Sequence, residues 1–207
     1  AIDHTDSTNA DVDFENAPFS GFFSTLINRS RDQQFVINYF NEQNNFASKQ
    51  VDNKSAGVIG YSMGGYGAVN TIGGCFAFNE QTTAMFTGMK DPAQIKKVQQ
   101  LLNSCAGGQY QNPKVDPRIK AMVAFAPWGG QHAIFDAKAM KNIKVPSLYV
   151  AGNLDDISGY EGIKSLYNQT GSKYKYMLTY KNARHNIAPH PAPAIAQSSS
   201  ELDLGHY

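Results

Sequence analysis

Residues 58–68 read V-I-G-Y-S-M-G-G-Y-G-A, and they place Ser62 in a G-x-S-x-G motif. The segment before it, residues 55–61, is short and apolar, as expected of a buried parallel strand. The residues after it favour a helix, so the pattern predicts a sharp strand-to-helix turn that exposes the Ser62 hydroxyl as a nucleophile. The alternative is a glycine-rich turn that contains a serine by chance.

Three glycines follow the serine, at positions 64, 65 and 67. We expect them to let the helix start close against the strand, because a side chain at these positions would clash. The same composition is typical of a tight turn that holds a nucleophile at the carboxyl end of a strand.

The composition limits the classes of function. The chain has 207 residues, of which 42% are hydrophobic, and this suits one domain over residues 1–207. Only 17% of the residues are charged and the net charge is +1, so no long-range field favours nucleic acid or an anionic membrane. No apolar run is long enough for a transmembrane segment. The chain begins with Ala and no signal peptide follows, so we expect processing or truncation there.

Strand-like and helix-like segments alternate along the chain. Residues 119–126, 145–151 and 174–180 read as further strands, the first two as buried apolar runs, and a helix with an apolar face follows the second of them. This alternation predicts an α/β fold with a mostly parallel sheet flanked by helices. In such sheets, ligands bind at the carboxyl ends of the strands.

Two other helices carry start signals. Ser30 with Gln33 forms a capping box, which predicts a loop up to residue 30 and a helix after it that buries Phe35 and Tyr39. Asp91 caps a second helix that Pro92 opens. Residues 76–117 therefore read as an insertion after the nucleophile helix, and we predict that it is a lid.

The two cysteines, Cys75 and Cys105, leave two interpretations open. In an oxidising compartment they could pair and close a loop of about thirty residues, which would contribute roughly 3 kcal/mol through loop entropy. The other interpretation is a pair of buried free thiols.

A serine hydroxyl becomes a good nucleophile only when an imidazole takes its proton and a carboxylate stabilises the imidazolium. Ser62, Asp155 and His185 follow three different strands in the order nucleophile, acid, base. We predict that they form a catalytic triad. Asp156 is the alternative acid, but Asp155 comes sooner after its strand.

Residues around the serine suggest how a substrate would bind. The backbone N–H of Met63 is the predicted first oxyanion donor, because it follows the nucleophile. Trp128 ends the strand before the acid and could form an apolar substrate wall, or it could be ordinary core. Tyr61 could line the same pocket.

The remaining histidines carry no metal signature. His132 could lie in the pocket wall and His4 could lie beside the site, but a lone histidine in a loop is more often structural or solvated. No pair of histidines has helix spacing with a carboxylate partner, so neither a metal nor another cofactor is predicted. His190 and His206 lie in an irregular tail and receive no role.

These motifs resemble the α/β-hydrolase superfamily. The resemblance covers residues 1 to about 190 and is nearest to secreted esterases that include dienelactone hydrolase-like, platelet-activating-factor acetylhydrolase-like and cutinase-type polyester hydrolases. The matching segments are G-Y-S-M-G-G at 60–65, D-P-R-I at 116–119, P-W at 127–128, G-N-L-D at 152–155 and R-H at 184–185. The resemblance implies hydrolysis of a small-molecule or polymeric carboxylic ester through an acyl-enzyme, and a secreted or periplasmic location.

The chain departs from the superfamily pattern before the nucleophile. Four strands ordinarily precede the nucleophile strand in this superfamily, whereas only residues 1–3 could represent the end of one here. A central parallel strand without its neighbour would expose apolar faces and unpaired backbone groups. We therefore hypothesise that a companion polypeptide carries the missing N-terminal strands. A terminal helix is also not predicted, because residues 197–207 show no helical periodicity.

Two further functions use the same residues. A serine peptidase or an acyltransferase would share the triad and differ only in its acyl group or its acceptor. A non-catalytic binding module with a relict site is the third interpretation. Activity on p-nitrophenyl esters that Ser62→Ala abolishes would favour the esterase.

Overall fold

A computed structural model describes residues 2–7, 11–13, 15–17, 20–42, 46–47, 49–52, 54–110 and 113–187. Its strands are β1 (Ala56–Tyr61), β2 (Ile119–Phe125), β3 (Ser147–Gly152) and β4 (Lys175–Tyr180). Its α-helices are α1 (Phe22–Asn41), α2 (Met63–Thr71), α3 (Glu80–Thr87), α4 (Pro92–Leu102), α5 (Ala137–Asn142) and α6 (Tyr160–Gln169). A short 3-10 turn covers Gly130–His132. The predicted irregular tail lies outside the described residues.

The four strands form one parallel sheet in the order β1-β2-β3-β4. Each predicted strand is present, with ends within two residues of the expected ones, so the α/β prediction is confirmed. Because the strands are parallel, the residues that follow them meet at one edge of the sheet. Within the described part of the chain, no helix has the length and apolar character needed to cross a bilayer.

One face of the sheet carries the core. Val58, Ala124 and Tyr149 point to this face and are 7%, 0% and 0% exposed. The helix residues Tyr66 and Leu166 pack in the same apolar cluster. The nucleophile helix α2 and the helix α6 therefore cover this side of the sheet.

The opposite face is apolar but far less covered. The strand register aligns Ile59, Val123, Leu148 and Tyr176 in one row across the four strands. The two ends of this row, Ile59 and Tyr176, are 72% and 62% exposed. Strands of parallel sheets are usually buried on both faces, so this exposure is unusual for the class. β1, the nucleophile strand, is also an edge strand of the described sheet.

Helix α1 begins nine residues earlier than the capping box at Ser30 predicted. Ser30 is a fully buried interior residue of the helix, and residues 22–30, predicted as loop, are helical. The predicted apolar face is also wrong, since Phe35 is 67% exposed. The helix instead packs Gln33 against α2, where its amide donates to the Gly64 carbonyl at 3.2 Å and accepts from the Thr71 hydroxyl at 2.9 Å. Tertiary hydrogen bonds therefore override the local cap signal.

The insertion at 76–117 contains α3 and α4. The predicted start of α4 is confirmed, because the Asp91 side chain accepts from the Ala93 N–H at 3.0 Å and Pro92 opens the helix. Helix α3 was not predicted, although Asn79 and Thr82 form a capping box at its start. Whether the insertion moves as a lid stays a prediction.

The base of the insertion is closed by a buried polar network. The Asn70 amide of α2 donates to the carbonyls of Gly74 and Ser104, both at 2.9 Å. Its oxygen accepts from the Gly107 N–H at 3.2 Å. Cys75 and Cys105 form a disulfide at the same place, which decides between the two interpretations of the cysteines.

The disulfide generates a stability prediction. It closes a loop with a sequence separation of 30 residues, so the Cys75→Ser/Cys105→Ser variant should lose about 3 kcal/mol of unfolding free energy. Urea denaturation with and without a reductant measures this loss. The reductant should destabilise the wild type to the same extent and leave the variant unchanged. Equal midpoints for oxidised wild type and variant would contradict the prediction.

A second tie joins α1 to the start of β2. The Asp116 carboxylate accepts from the Arg118 guanidinium Nε at 2.9 Å and from the Gln34 amide at 2.8 Å. The hydrogen bond from Arg118 is the main reason that the pKa of Asp116 lies well below its usual range. A carboxyl whose pKa is depressed on folding stabilises the protein above its unfolded pKa, and this stabilisation is lost as the pH falls.

This carboxylate should make stability pH-dependent. We expect Asp116→Asn to lower the unfolding free energy by about 2 kcal/mol at pH 7. The difference from wild type should shrink as the pH falls from about 5 to 2, because the wild-type carboxyl then becomes protonated. Denaturant melts at several pH values measure it. Glu161→Gln, in an exposed pair with Lys164 at 3.4 Å, is the control and should have little effect. A pH-independent difference for Asp116→Asn would contradict the assignment.

Candidate active site

Ser62 lies on the sharp turn that the sequence predicted. Its φ is 53° and its ψ is −113°, a conformation that few residues other than glycine adopt. The turn is held by backbone hydrogen bonds to the neighbouring strand end: the Ser62 N–H donates to the Phe125 carbonyl at 2.9 Å, and the Trp128 N–H donates to the Ser62 carbonyl at 3.1 Å. Such a strained turn at a strand end is typical of a nucleophile.

The glycines around the turn have different roles. A Cβ on Gly60 would lie 2.1 Å from the Gly64 carbonyl oxygen, and one on Gly65 would lie 2.9 Å from Pro127. The expectation for Gly64 itself is wrong, because a Cβ there would meet nothing within 4 Å. Gly67 faces α1 rather than the strand. The close approach of α2 to the sheet therefore depends on Gly60 and Gly65.

Three side chains meet at the carboxyl edge of the sheet. The Oγ of Ser62 lies 3.0 Å from Nε2 of His185. The Nδ1 of His185 lies 3.0 Å from one Asp155 oxygen and 3.1 Å from the other. His185 and Asp155 are each 5% exposed. The structure thus brings together all three residues that the sequence grouped.

The loop after β3 fixes the Asp155 carboxylate. Its Oδ1 accepts from the backbone N–H groups of Ile157 and Ser158 at 3.0 and 2.9 Å. The buried Ser158 hydroxyl in turn donates to the Ala126 carbonyl at 2.7 Å, just past the end of β2. Ser158 was not predicted from the sequence, although its spacing of three residues from an aspartate is a turn signal. The carboxylate is therefore oriented before any substrate arrives.

The acid loop and the histidine loop are bonded to each other. The Leu154 N–H donates to the Ala183 carbonyl at 3.0 Å, and the Asn182 N–H donates to the Asn153 side-chain oxygen at 2.6 Å. Gly152 is required at this junction, because a Cβ there would lie 2.2 Å from the Ala183 oxygen. These contacts set the separation between acid and base.

Asp156 lies on the surface. Its carboxylate accepts from the Arg184 guanidinium at 3.0 Å, and both side chains are more than 40% exposed. The Nδ1 of His185 is occupied by the Asp155 carboxylate. The geometry thus favours the acid that the sequence favoured.

Tyr61 lies beside the histidine. Its ring centroid is 5.2 Å from that of His185, and its hydroxyl donates to the Asn186 side-chain oxygen. Asn186 was not singled out in the sequence, and nothing local distinguishes it. Tyr61 is not among the residues that surround the cavity at Trp128. Its role in binding substrate stays a prediction.

Trp128 is 8% exposed and combines the two interpretations that the sequence left open. It packs in the core, where its ring meets Tyr66 at 5.6 Å, and it also lines an open cavity. His132 lines the same cavity, and burial lowers its pKa. His4 is instead held by Asp32, with 2.6 Å between Nδ1 and the carboxylate.

The electrostatics of the site come from few groups. Met63 is the first residue of α2, so its N–H has no partner within the helix and lies at the positive end of the helix dipole. Among the described residues, no group of three or more histidine, cysteine or acidic side chains could hold a metal ion. The arrangement can deprotonate a serine and stabilise a negative charge next to it.

Comparisons with known proteins show what this chain is similar to. A family model described as "Serine hydrolase (FSH1)" matches residues 28–190, which is most of the chain. No curated protein matches this chain significantly. The α/β-hydrolase fold is confirmed by the parallel sheet and its flanking helices. The resemblance to the secreted esterases of this superfamily stays a prediction.

Several solved structures are similar at low identity. Acyl-protein thioesterase 2 from Zea mays is 17% identical, with a TM-score of 0.45, over 86% of this chain and 64% of that one. A monoacylglycerol lipase from Paleococcus ferrophilus is 13% identical, with a TM-score of 0.41, over 75% and 66%. A cold-adapted esterase from an Arctic intertidal metagenomic library is 13% identical, with a TM-score of 0.44, over 78% and 48%. The chain thus spans about half to two thirds of their length.

The two neighbouring aspartates allow a matched test. Asp155→Asn should lower kcat for an ester substrate by about 10³- to 10⁴-fold, because His185 loses its orienting carboxylate. Asp156→Asn should change it by less than about three-fold, because its exposed ion pair contributes little. Steady-state kinetics on p-nitrophenyl acetate measures both. Near-normal turnover by Asp155→Asn, with a collapse in Asp156→Asn, would reverse the assignment.

Proposed function

We infer that this chain, which belongs to the serine hydrolase (FSH1) family, is a carboxylic-ester hydrolase that acts through an acyl-enzyme. The observation that carries the proposal is the relay of two hydrogen-bond distances of 3.0 Å from Ser62 Oγ to His185 and from His185 to Asp155. In this proposal Ser62 is the nucleophile, His185 the general base and acid, and Asp155 the orienting carboxylate.

Acylation begins with the Ser62 hydroxyl donating to Nε2 of His185. As Oγ attacks the ester carbonyl carbon, its proton moves to Nε2, and the new imidazolium is stabilised by the Asp155 carboxylate at Nδ1. The carbonyl oxygen becomes an oxyanion. The Met63 N–H at the start of α2 donates to it, and the positive end of the helix dipole adds to this stabilisation.

Collapse of the tetrahedral intermediate breaks the bond between the carbonyl carbon and the alcohol oxygen. The proton on His185 Nε2 transfers to that oxygen, the alcohol leaves, and the acyl group remains on Ser62. Water then enters, gives its proton to Nε2 and attacks the acyl carbon. The second collapse returns the proton to Ser62 Oγ and releases the carboxylic acid.

The surroundings of the serine favour an uncharged ester. Trp128, whose N–H donates to the Ser62 carbonyl, also lines a cavity with aromatic walls. A net charge of +1 gives no strong attraction for a charged substrate. Small-molecule and polymeric esters both fit this description.

The exposed sheet supports a partner proposal. β1 is an edge strand of the described sheet. On the less covered face of the sheet, Ile59 and Tyr176 lie at the two ends of one row, and they are 72% and 62% exposed. A polypeptide that adds a strand beside β1 and covers this face would pair the edge and bury the row. We propose such a companion for the active enzyme. The Cys75–Cys105 disulfide also supports the proposal of an oxidising location, with the protein secreted or periplasmic.

The proposed reaction predicts a covalent intermediate on one residue. A fluorophosphonate should add to Ser62. The Ser62→Ala variant should not be labelled, and its activity on p-nitrophenyl esters should fall by about 10⁴-fold or more. Intact-mass spectrometry measures the label and also reports any second polypeptide that remains bound.

Three outcomes would contradict the proposal. Labelling at a residue other than Ser62 would remove the nucleophile assignment. Peptide cleavage faster than ester cleavage would favour a peptidase, and acyl transfer to an alcohol in preference to water would favour a transferase. Leu101→Ala, an exposed position far from the triad in the chain, should label and turn over as the wild type does.

A further inference from the structure

A cavity of about 580 Å³ is lined by residues from α1, from the insertion and from the segment after β2. Its wall is formed by Phe22 at the start of α1, by Phe86 and Gly88 at the end of α3, and by Trp128 and His132 after β2. Its volume is within the range of about 300–1,000 Å³ that is usual for small-molecule sites. Three separate parts of the chain thus converge on one space.

The wall is an aromatic cluster with a defined geometry. The Phe86 ring meets Trp128 at 5.1 Å and His132 at 4.9 Å, with interplanar angles of 73° and 77°. Phe22 meets Trp128 at 5.8 Å and 90°. These are edge-to-face contacts, the arrangement that aromatic rings prefer, and they would extend to one more ring.

The cavity excludes charge. None of the described residues that line it carries an acidic, lysine or arginine side chain. Burial lowers the pKa of His132 and so favours the neutral form of this ring. An ionised group against this wall would lose part of its hydration without gaining a partner of opposite charge. The occupant that this wall fits is apolar and uncharged.

The cavity adjoins the reacting serine through Trp128. The Trp128 N–H donates to the Ser62 carbonyl at 3.1 Å. A residue of the aromatic wall is therefore hydrogen-bonded to the nucleophile turn, and this residue of the cavity is a direct backbone neighbour of the nucleophile.

We propose that this cavity binds an uncharged aromatic ring of the ester substrate, and that Phe86 of the insertion determines this specificity together with His132. The proposal rests on the proposed esterase function, and it assigns the insertion to substrate selection. The ring could belong to the acyl group or to the alcohol, since the chemistry of the wall is the same for both.

Kinetics with paired substrates tests the proposal. In the acyl arm the substrates are p-nitrophenyl benzoate and p-nitrophenyl acetate, and in the alcohol arm they are benzyl acetate and ethyl acetate. Phe86→Ala should lower the ratio of aromatic to small-ester kcat/KM by roughly five- to ten-fold in one arm, which identifies the source of the ring. Leu101→Ala also removes an exposed apolar side chain of the insertion, and this control should keep the ratio within two-fold.

Phe86→Leu keeps most of the side-chain volume and removes the ring. It provides the decisive measurement if Phe86→Ala does not fold, as judged by circular dichroism. Unchanged ratios in both arms for a folded Phe86 variant would overturn the proposal. A ratio that falls equally in Leu101→Ala would also overturn it, because the effect would then belong to the insertion as a whole.

A binding measurement separates this proposal from the esterase proposal. Trp128 is the only tryptophan of the chain, so its fluorescence reports directly on the cavity wall. Titration of Ser62→Ala with benzyl methyl ketone should give a saturable change in emission, and Ser62→Ala/Phe86→Leu should bind at least five-fold more weakly. Equal binding by both variants, or no saturable change, would overturn the cavity assignment. Absence of ester hydrolysis by the wild type would overturn only the esterase.

Discussion

Both backbone groups of Ser62, its N–H and its carbonyl, form hydrogen bonds with residues at or just past the end of the neighbouring strand β2. The rest of the site depends on this junction. Its N–H donates to Phe125 and its carbonyl accepts from Trp128, so the turn belongs to β2 as much as to β1. The positive φ at Ser62 is stabilised by these bonds and by the close approach at Gly60 and Gly65. A strained conformation persists only when its surroundings over-determine it, and here they do.

From this junction the other catalytic loops are set in sequence. Ser158 connects the acid loop to Ala126 at the end of β2, and the Leu154 N–H connects the acid loop to Ala183 in the histidine loop. A hydrogen bond of 3.0 Å or less therefore joins the acid loop to the end of β2, and another joins the histidine loop to the acid loop. The triad distances follow from a chain of backbone and hydroxyl contacts, and no single side chain fixes them. Preorganisation of this kind lets the same groups act without reorganisation during the reaction.

The sequence predicted the parts of the molecule that short-range patterns control. The strands, the turn at Ser62 and the order of the three loops follow from apolar runs and from the positions of glycines, and these survived in the structure. The start of α1 did not, because Ser30 has a good local cap signal but is buried where Gln33 bonds across to α2. The sequence suggested Trp128 and His132 for a pocket wall, but the part of the wall that Phe86 forms could not be predicted, since Phe86 and Trp128 are far apart in the sequence and meet only through the folded insertion. Local signals fail where long-range polar or aromatic contacts decide the outcome.

The closure at the base of the insertion has a consequence for how the protein can vary. Asn70 bonds to Ser104 and Gly107, and Asn103 bonds the Phe78 backbone in both directions, so the two ends of the insertion are fixed to each other and to α2. The free energy of closing a loop changes slowly with its length once its ends are joined. The loops between these ends can therefore change in length at little cost in free energy, while Phe78, Val98 and Leu102 keep the insertion packed in the core beside α2. Such a layout separates the evolution of what the site accepts from the evolution of what it does.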